Sequence, residues 1–135
     1  VDLLAGAGCI EVSLGFESGC DRILGIMNKK FRVHDVRLAS EMLKRAGIKR
    51  AGFLLLGGPG ETRETVIESL VFAESLGLEA LKITTGIRIY PDTMLAKAAL
   101  EDGVISPDDD LLFPRFYMAQ GLGEWLVQTV GSVSQ

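Results

Sequence analysis

The chain has 135 residues, 47% of them hydrophobic, so it is long enough to bury a core. Its 14 Lys and Arg against 18 Asp and Glu leave a net charge of −4, which gives no electrostatic basis for a general nucleic-acid role. No apolar run approaches the roughly 20 residues that span a bilayer, so no segment of this sequence is predicted to cross a membrane.

The termini and the cysteines indicate where such a chain is found. The amino terminus has neither the basic segment nor the cleavage pattern of a signal peptide. It also lacks an initiator Met, which predicts a chain cut from a longer protein. The two cysteines, Cys9 and Cys20, are too few for a disulfide framework, and their spacing fits no zinc or iron–sulfur motif. We expect a reducing, cytoplasmic location.

Strand-like and helix-like segments alternate along the chain. The predicted strands are residues 10–15, 48–56 and 81–89, and the predicted helices are residues 1–7, 20–27, 35–46, 62–76 and 93–101. The unbroken apolar end of the second strand predicts burial on both faces. A strand spacing of about 35 residues favours a parallel sheet with right-handed crossovers, so the fold class is α/β.

Each predicted strand ends in residues suited to a ligand. Glu17 follows the first strand, a glycine-rich turn from Gly57 to Gly60 follows the second, and Arg88 lies near the end of the third. Parallel strands place the loops that follow them on the same edge of a sheet. The glycines let a ligand approach the backbone, and the helix that starts at Thr62 offers free N–H groups. The pattern therefore predicts one ligand-binding edge.

Several of these features have simpler interpretations. The Gly57 turn is not a phosphate-binding Walker loop, because Glu61 stands where that motif has Lys. It can be a tight turn alone. Glu17 at the end of a strand suits ribose hydroxyls, yet it can also stabilise the helix that follows. Lys29 and Lys30 can bind a ligand carboxylate or form a solvated basic pair.

Two further features favour structural roles. His34 precedes a predicted helix, which indicates helix capping rather than catalysis. The acidic run 108–110 is interpreted as a solvated loop rather than a metal site.

As an ordered set, these segments resemble the second half of the core of radical S-adenosylmethionine enzymes. The segments are 14–19 (LGFESG), 27–30 (MNKK), 47–48 (GI), 52–62 (GFLLLGGPGET) and 90–93 (YPDT). The subgroup that they resemble comprises the cobalamin-binding and methylthiotransferase-like enzymes. Segments 112–117 (LFPRFY) and 124–126 (EWL) are similar to the extension of cobalamin-binding members.

The resemblance implies a fold and a set of cofactor contacts. The fold is a partial (β/α) barrel of six TIM-like units, of which residues 1–105 supply units four to six and residues 106–135 a C-terminal extension. The implied cofactor-binding residues are Glu17 and Ser18 at the ribose, Lys29 at the methionyl carboxylate, Leu55 and Gly57 at the adenine, and Arg88 at the adenine edge. Asp92 stands where relatives have Gly. The resemblance implies no catalytic residue and no metal ligand in this chain.

The resemblance also implies partners outside the chain. The family binds a 4Fe–4S cluster through three cysteines in a Cys-x3-Cys-x2-Cys loop, which this sequence lacks. The parent enzyme would cleave S-adenosylmethionine to a 5′-deoxyadenosyl radical, or methylate carbon through cobalamin bound by another domain. This chain would contribute half of the S-adenosylmethionine pocket and be inactive alone.

Three parallel strands leave open edges, so we expect the chain to self-associate or to fold its 113–125 segment across the inner face. Self-association is favoured. Two alternatives to the radical enzyme remain: a non-enzymatic α/β binding or assembly module, and a fragment of a phosphosugar-type barrel, whose phosphate loops usually lack the acidic corner at Glu17.

Overall fold

A computed structural model describes residues 1–133 of the chain. The helices are α1 (Asp2–Gly6), α2 (Asp21–Ile26), α3 (Val33–Arg45), α4 (Arg63–Ser75), α5 (Met94–Glu101) and α6 (Gly123–Val133). The strands are β1 (Glu11–Glu17), β2 (Lys49–Leu56), β3 (Ala80–Thr85), β4 (Ile87–Ile89) and β5 (Arg115–Tyr117). Among these helices, none has the length and apolar character needed to cross a bilayer.

The first three strands form one parallel sheet in the order β1-β2-β3, as predicted. Helices α2 and α3 connect β1 to β2, and α4 connects β2 to β3. Each connection returns the chain to the same end of the sheet, so the strand ends and their loops share one edge. This arrangement agrees with part of a (β/α) barrel.

The sheet has a covered face and an open face. On the covered face, Phe16, Leu54 and Leu56 pack with Val36 of α3 and Val66 of α4 in the apolar core. The residues that alternate with them lie on the open face. They are Glu11, Ser13 and Gly15 of β1, Ala51, Phe53 and Leu55 of β2, and Ala80, Lys82 and Thr84 of β3.

Two expectations about the strands are wrong. Strand β2 is not buried on both faces: Phe53 and Leu55 remain half-exposed, because the described helices cover only the other face. The predicted strand 81–89 is two strands. Gly86 interrupts it with a φ of 76°, and β4 then leaves the parallel sheet to pair antiparallel with β5.

The helix ends follow from short polar contacts. Thr62 caps α4, since its hydroxyl accepts a hydrogen bond from the N–H of Thr65 at 3.3 Å. Helix α3 begins two residues earlier than predicted, because the Asp35 carboxylate accepts a hydrogen bond from the N–H of Arg32 at 2.9 Å. His34 therefore lies inside the first turn of α3, and the expectation that it caps the helix is wrong.

The C-terminal segment joins the same core. Tyr117, Leu122 and Leu126 are buried and cluster with Leu56 and Val66. Helix α6 packs beside α4, where the Arg63 guanidinium lies 5.2 Å from the centre of the Trp125 ring.

The segment thus reinforces the helical side of the sheet and does not cross the open face, contrary to one of the two expected routes. Phe113 and Phe116 remain exposed. The division into residues 1–105 and 106–135 stays a prediction, and the last two residues of that extension lie outside the described residues.

Candidate functional site

A cavity of about 440 Å³ opens at the carboxyl ends of β1 and β2. It brings together three residues predicted from the sequence: Glu17, Lys29 and Leu55. The other lining residues are Ile26, Met27, Asn28, Pro59, Ile87, Met94, Leu95 and Ala98. This volume lies within the range of about 300–1,000 Å³ that small-molecule sites occupy, and apolar walls with few polar groups are typical of such sites.

The backbone at Glu17 is strained. The register of β1 against β2 shifts between Leu14 and Glu17, which marks a bulge at the end of the strand. Glu17 has a φ of 70°, and the N–H of Ser18 bonds to the carbonyl of Phe16 at 2.8 Å across it. A three-residue turn with positive φ at its centre is rare and costs about 1–3 kcal/mol for a residue other than glycine.

This turn directs the Glu17 side chain over the open face. A Cβ built on Gly15 would lie 3.5 Å from Oε1 of Glu17, an ordinary van der Waals contact, so the carboxylate lies beside Gly15 on this face. Among residues 1–133, the Glu17 carboxylate forms no hydrogen bond and no ion pair. It is a half-buried acceptor that faces the cavity and is free for a ligand.

Lys29 is positioned by the end of α2. Asn28 adopts a left-handed φ of 56°, and the N–H of Lys29 bonds back to the carbonyl of Leu24 at 2.9 Å. This pattern of capping turns the chain towards the cavity. The Lys29 ammonium forms no ion pair or hydrogen bond among the described residues, whereas Lys30 donates to Oδ1 of Asn28 at 3.1 Å. The two adjacent lysines are therefore not equivalent.

The glycine-rich turn forms another wall of the cavity. Its shape is fixed by a bond from the N–H of Glu61 to the carbonyl of Gly58 at 3.1 Å, and by Arg22, which donates to the carbonyl of Gly60 at 2.8 Å. A side chain at Gly60 would lie 2.5 Å from Ile26, so only glycine fits without a shift of that side chain. The turn is thus held rigid against the apolar lining.

Glu61 anchors this turn to α4 from beneath. Its carboxylate is buried and accepts a hydrogen bond from the hydroxyl of Thr65 at 2.7 Å. Burial raises the pKa of Glu61, while the hydrogen bond from Thr65, the nearby Gly57 backbone and the charge of Arg22 act in the opposite direction. Glu61 does not line the cavity, so its contact is with the turn and not with the space for a ligand.

The close contact at Gly57 is made by the C-terminal segment of the chain, whereas the sequence predicted that a ligand would make it. A side chain there would lie 2.6 Å from the sulfur of Met118, and the Gly57 carbonyl accepts a bond from the N–H of Ala119 at 2.7 Å. Gly57 is not one of the residues that line the cavity. Its φ of 96° and its small size serve the packing of this segment on the turn.

Two other predicted residues also lie off the cavity. The Ser18 side chain is fully buried, where its hydroxyl bonds to that of Ser69 at 3.1 Å and accepts from the N–H of Cys20 at 3.1 Å. Arg88 is exposed, with its guanidinium 4.9 Å from the centre of the Tyr90 ring. Ser18 therefore supports the turn that carries Glu17, and Arg88 points away from the wall that Ile87 forms.

The residues missed by the sequence interpretation are mostly apolar. Helix α2, strand β4 and helix α5 contribute four of them: Ile26, Ile87, Met94 and Leu95. None of the four is a polar residue that would stand out at the end of a strand. Met94 is 82% exposed, although it lines the cavity. The available signal was the position of Ile26 directly before the MNKK segment.

The described residues do not offer a metal site. No group of three or more His, Cys, Asp or Glu side chains lies close enough together to hold an ion within residues 1–133. Cys20 is buried at the start of α2, where burial raises the pKa of its thiol and keeps it protonated.

The sequence profile of the radical SAM superfamily matches residues 1–73. The chain therefore belongs to the radical SAM superfamily. It is also 31% identical over 98 residues to an uncharacterized methyltransferase of Pyrococcus horikoshii, and 31% identical over 93 residues to an uncharacterized protein of Methanocaldococcus jannaschii. These matches cover 73% and 69% of this chain but only 21% and 27% of the relatives.

Two solved structures of TsrM, a radical S-adenosylmethionine methyltransferase from Kitasatospora setae, are similar in fold. One, with cobalamin and a 4Fe–4S cluster bound, is 26% identical with a TM-score of 0.68 and covers 75% of this chain and 19% of that one. The other, with tryptophan substrate and an aza analogue of S-adenosylmethionine bound, has a TM-score of 0.78. It covers 98% of this chain and 32% of that one at 20% identity, which supports the fold alone.

Proposed function

We propose that this chain supplies the nucleoside-binding half of the S-adenosylmethionine site in a longer radical methyltransferase. The observation that carries the proposal is the pairing of two free, opposite charges in one cavity. The Glu17 carboxylate and the Lys29 ammonium line the same apolar space, and neither has a partner among residues 1–133. S-adenosylmethionine presents matching groups, namely ribose hydroxyls and a methionyl carboxylate.

Each residue has a distinct task in this site. Glu17 accepts hydrogen bonds from the ribose hydroxyls, because an ionised carboxylate is an acceptor only. Lys29 binds the methionyl carboxylate through a charge-assisted hydrogen bond. Leu55 forms an apolar wall for the adenine, next to Ile87, and excludes water from it. Ser18 stabilises the turn that carries Glu17, and Gly57 belongs to the glycine-rich turn that forms another wall of the cavity.

The rest of the chemistry is assigned to parts outside this chain. The family relationship supports a 4Fe–4S cluster, and the TsrM structures support cobalamin as a second cofactor. With S-adenosylmethionine bound, these groups would supply the radical or methyl-transfer chemistry. The proposed partner of the β1 edge is the remaining part of the barrel, with this chain as units four to six.

Adjacent lysines allow a controlled test of the site. In the full-length protein, Lys29→Ala should weaken S-adenosylmethionine binding roughly 10- to 100-fold, since a hydrogen bond to a charged group contributes about 1.5–3 kcal/mol. Lys30→Ala should change the affinity far less, because Lys30 does not line the cavity and its ammonium already donates to Asn28. Anaerobic titration calorimetry measures both. Equal losses in the two variants would refute the assignment of Lys29.

A further inference from the structure

The glycine-rich turn beside the cavity lies over a buried carboxyl group that the proposed cofactor contacts do not use. Glu61 is only 5% exposed. Its Oε1 accepts the hydrogen bond from the Thr65 hydroxyl at 2.7 Å, whereas its Oε2 has no hydrogen-bond partner within residues 1–133. Residues of this chain already enclose Glu61, so its second oxygen is not an atom left bare at the edge of a partial barrel. A buried polar atom without a partner is rare and calls for a physical reason.

The surroundings of Glu61 favour its neutral form. An ionised carboxylate has about four acceptor sites, and a buried one is stable only when donors or a cation satisfy them. One hydroxyl donor leaves most of these sites empty. Burial accordingly raises the pKa of Glu61 above its ordinary value of 4.5. A protonated carboxyl carries no charge to bury, so it costs less in this position than a carboxylate does.

The cation that acts on Glu61 is engaged elsewhere. Arg22 of α2 lowers the pKa of Glu61 through its charge but forms no ion pair with it, because the guanidinium donates to the carbonyl of Gly60 at 2.8 Å. Other titratable side chains of α2 and α4 near this turn form no hydrogen bond or ion pair with Glu61: Cys20, Asp21, Arg63, Glu64 and Glu68. Met118 and Ala119, which pack on the turn from the C-terminal segment, carry no charge.

The bond from Arg22 to Gly60 connects Glu61 to the cavity. Gly60 packs against Ile26, and both Ile26 and the neighbouring Pro59 line the cavity. A negative charge on Glu61 attracts the Arg22 guanidinium, since a buried ion pair is stronger than a bond to a neutral carbonyl. The carbonyl of Gly60 then loses its donor, and the turn loses a contact that fixes its last residue. Protonation of Glu61 and the shape of this wall are therefore coupled.

We propose that Glu61 is a positioning residue that holds the glycine-rich turn in its cavity-lining shape as a neutral carboxylic acid, so that its ionisation weakens cofactor binding. This inference rests on the proposed function, since the affected ligand is S-adenosylmethionine. Because the neutral form binds better, the affinity is highest in acid and falls as the pH rises through the raised pKa of Glu61. One group of this kind changes the affinity by at most about tenfold per pH unit.

A neutral variant of the same shape tests this role in the full-length protein. Glu61→Gln cannot ionise, so the ratio of the wild-type Kd to the Gln Kd for S-adenosylmethionine should rise with pH. Anaerobic calorimetry from about pH 5 to about pH 8 should show an increase of about 10- to 100-fold, as expected for the loss of a hydrogen bond from a charged group. Groups common to both proteins, such as Glu17, cancel in this ratio.

Glu64→Gln is the matched control. It removes a carboxylate three residues away, on the exposed side of α4, and should keep the pH profile of the wild type. Glu61→Met is a second neutral variant of similar length, and it takes the place of the Gln variant if that protein does not fold. A ratio that stays constant with pH, or that is below one throughout, shows that the carboxylate is the working form and overturns the inference.

A measurement without cofactor separates this inference from the proposed function. In urea unfolding, the wild type should lose stability relative to Glu61→Gln as the pH rises, because a raised pKa stabilises the fold only in the protonated form. A difference that does not change with pH overturns the neutral form of Glu61. Failure of the wild type to bind S-adenosylmethionine at any pH would instead contradict the proposed function, and the unfolding comparison would then decide on Glu61.

Discussion

Glu17 combines backbone strain with a free carboxylate. Its φ of 70° is unfavourable for any residue that has a Cβ, and no partner in residues 1–133 compensates for its half-buried charge. Such a residue is retained only where the surrounding structure enforces it, and here the buried Ser18–Ser69 bond holds the turn that follows. Strain of this kind is often found where a side chain is positioned for a ligand.

Replacing Glu17 by glycine should separate stability from binding. Glu17→Gly should leave the free energy of unfolding unchanged or raise it by about 1 kcal/mol, because glycine tolerates positive φ. The same change should abolish measurable S-adenosylmethionine binding by the full-length protein, since the ribose loses its acceptor. Urea unfolding and calorimetry measure the two effects.

Asp92→Gly is the matched control for this change. Asp92 also has a left-handed φ, 59°, but it is exposed and does not line the cavity. The control should gain similar stability and keep its affinity. If Glu17→Gly binds S-adenosylmethionine as tightly as Asp92→Gly does, Glu17 is not a cofactor ligand.

At the level of elements, the Arg50 side chain links β2 to α3 and α4 through hydrogen bonds, at the end of the sheet opposite the cavity. Its guanidinium is buried and donates to the carbonyls of Leu76 and Gly77 at 3.2 and 2.8 Å, and to the hydroxyl of Ser40 at 2.8 Å. A salt bridge of 3.0 Å joins it to Glu79. The group thereby caps the end of α4 and ties it to α3 and to the loop before β3.

Truncating Arg50 should destabilise the chain strongly. Arg50→Met should lower the free energy of unfolding by about 3 kcal/mol, because two carbonyls lose their donor at about 1–3 kcal/mol each. The control is Arg115→Met. The ion pair between Arg115 and Asp109 has an Arg side chain that is 60% exposed, so its loss should cost less than about 1 kcal/mol. Similar urea midpoints for the two variants would contradict this account of Arg50.

The contacts between Arg50 and Glu79 also predict that the free energy of unfolding decreases in acid. Hydrogen bonds from Arg50 lower the pKa of Glu79 from 4.5 to about 2. A lowered pKa stabilises the folded state above pH 4.5, and this contribution is lost as the pH falls from about 4.5 to about 2. Because Glu79 is partly exposed, solvent screening reduces the size of the effect.

Glu79→Gln isolates this contribution. The difference in stability between the wild type and the variant should shrink as the pH falls through that window. Glu61 has a raised pKa, so its contribution is lost as the pH rises, but it is common to both proteins and cancels in the difference. A difference that stays constant from pH 5 to pH 2 would show that the Glu79 charge does not stabilise the fold.

For the whole molecule, the sequence predicted the order of the parallel strands but not the path of the chain after β3. Apolar runs that end in glycine are local signals, and they marked β1 and β2 well. The pairing of β4 with β5 joins segments more than 20 residues apart, such as Ile87 and Tyr117, and no local pattern encodes it. The partial exposure of one face of β2 could not be predicted, because Phe53 and Leu55 on that face are as apolar as the buried residues of the same strand.

The candidate site shows the same division between local and long-range signals. Glu17 and Lys29 were predictable because a charge next to a strand end or a helix end stands out in sequence. Ile87 and Met94 could not be predicted, because they reach the cavity only after β4 and α5 fold over it.

Self-association stays a prediction: β1 has no second neighbour among the described strands, and light scattering at low concentration would test it.

The most direct test of the central claim is a crystal structure of the full-length protein with S-adenosylmethionine bound. The ribose hydroxyls should lie within about 3 Å of the Glu17 carboxylate, and the methionyl carboxylate should lie at the Lys29 ammonium. The adenine should pack against Leu55. A nucleoside bound elsewhere, with Glu17 and Lys29 more than about 5 Å from any of its polar atoms, would contradict the claim.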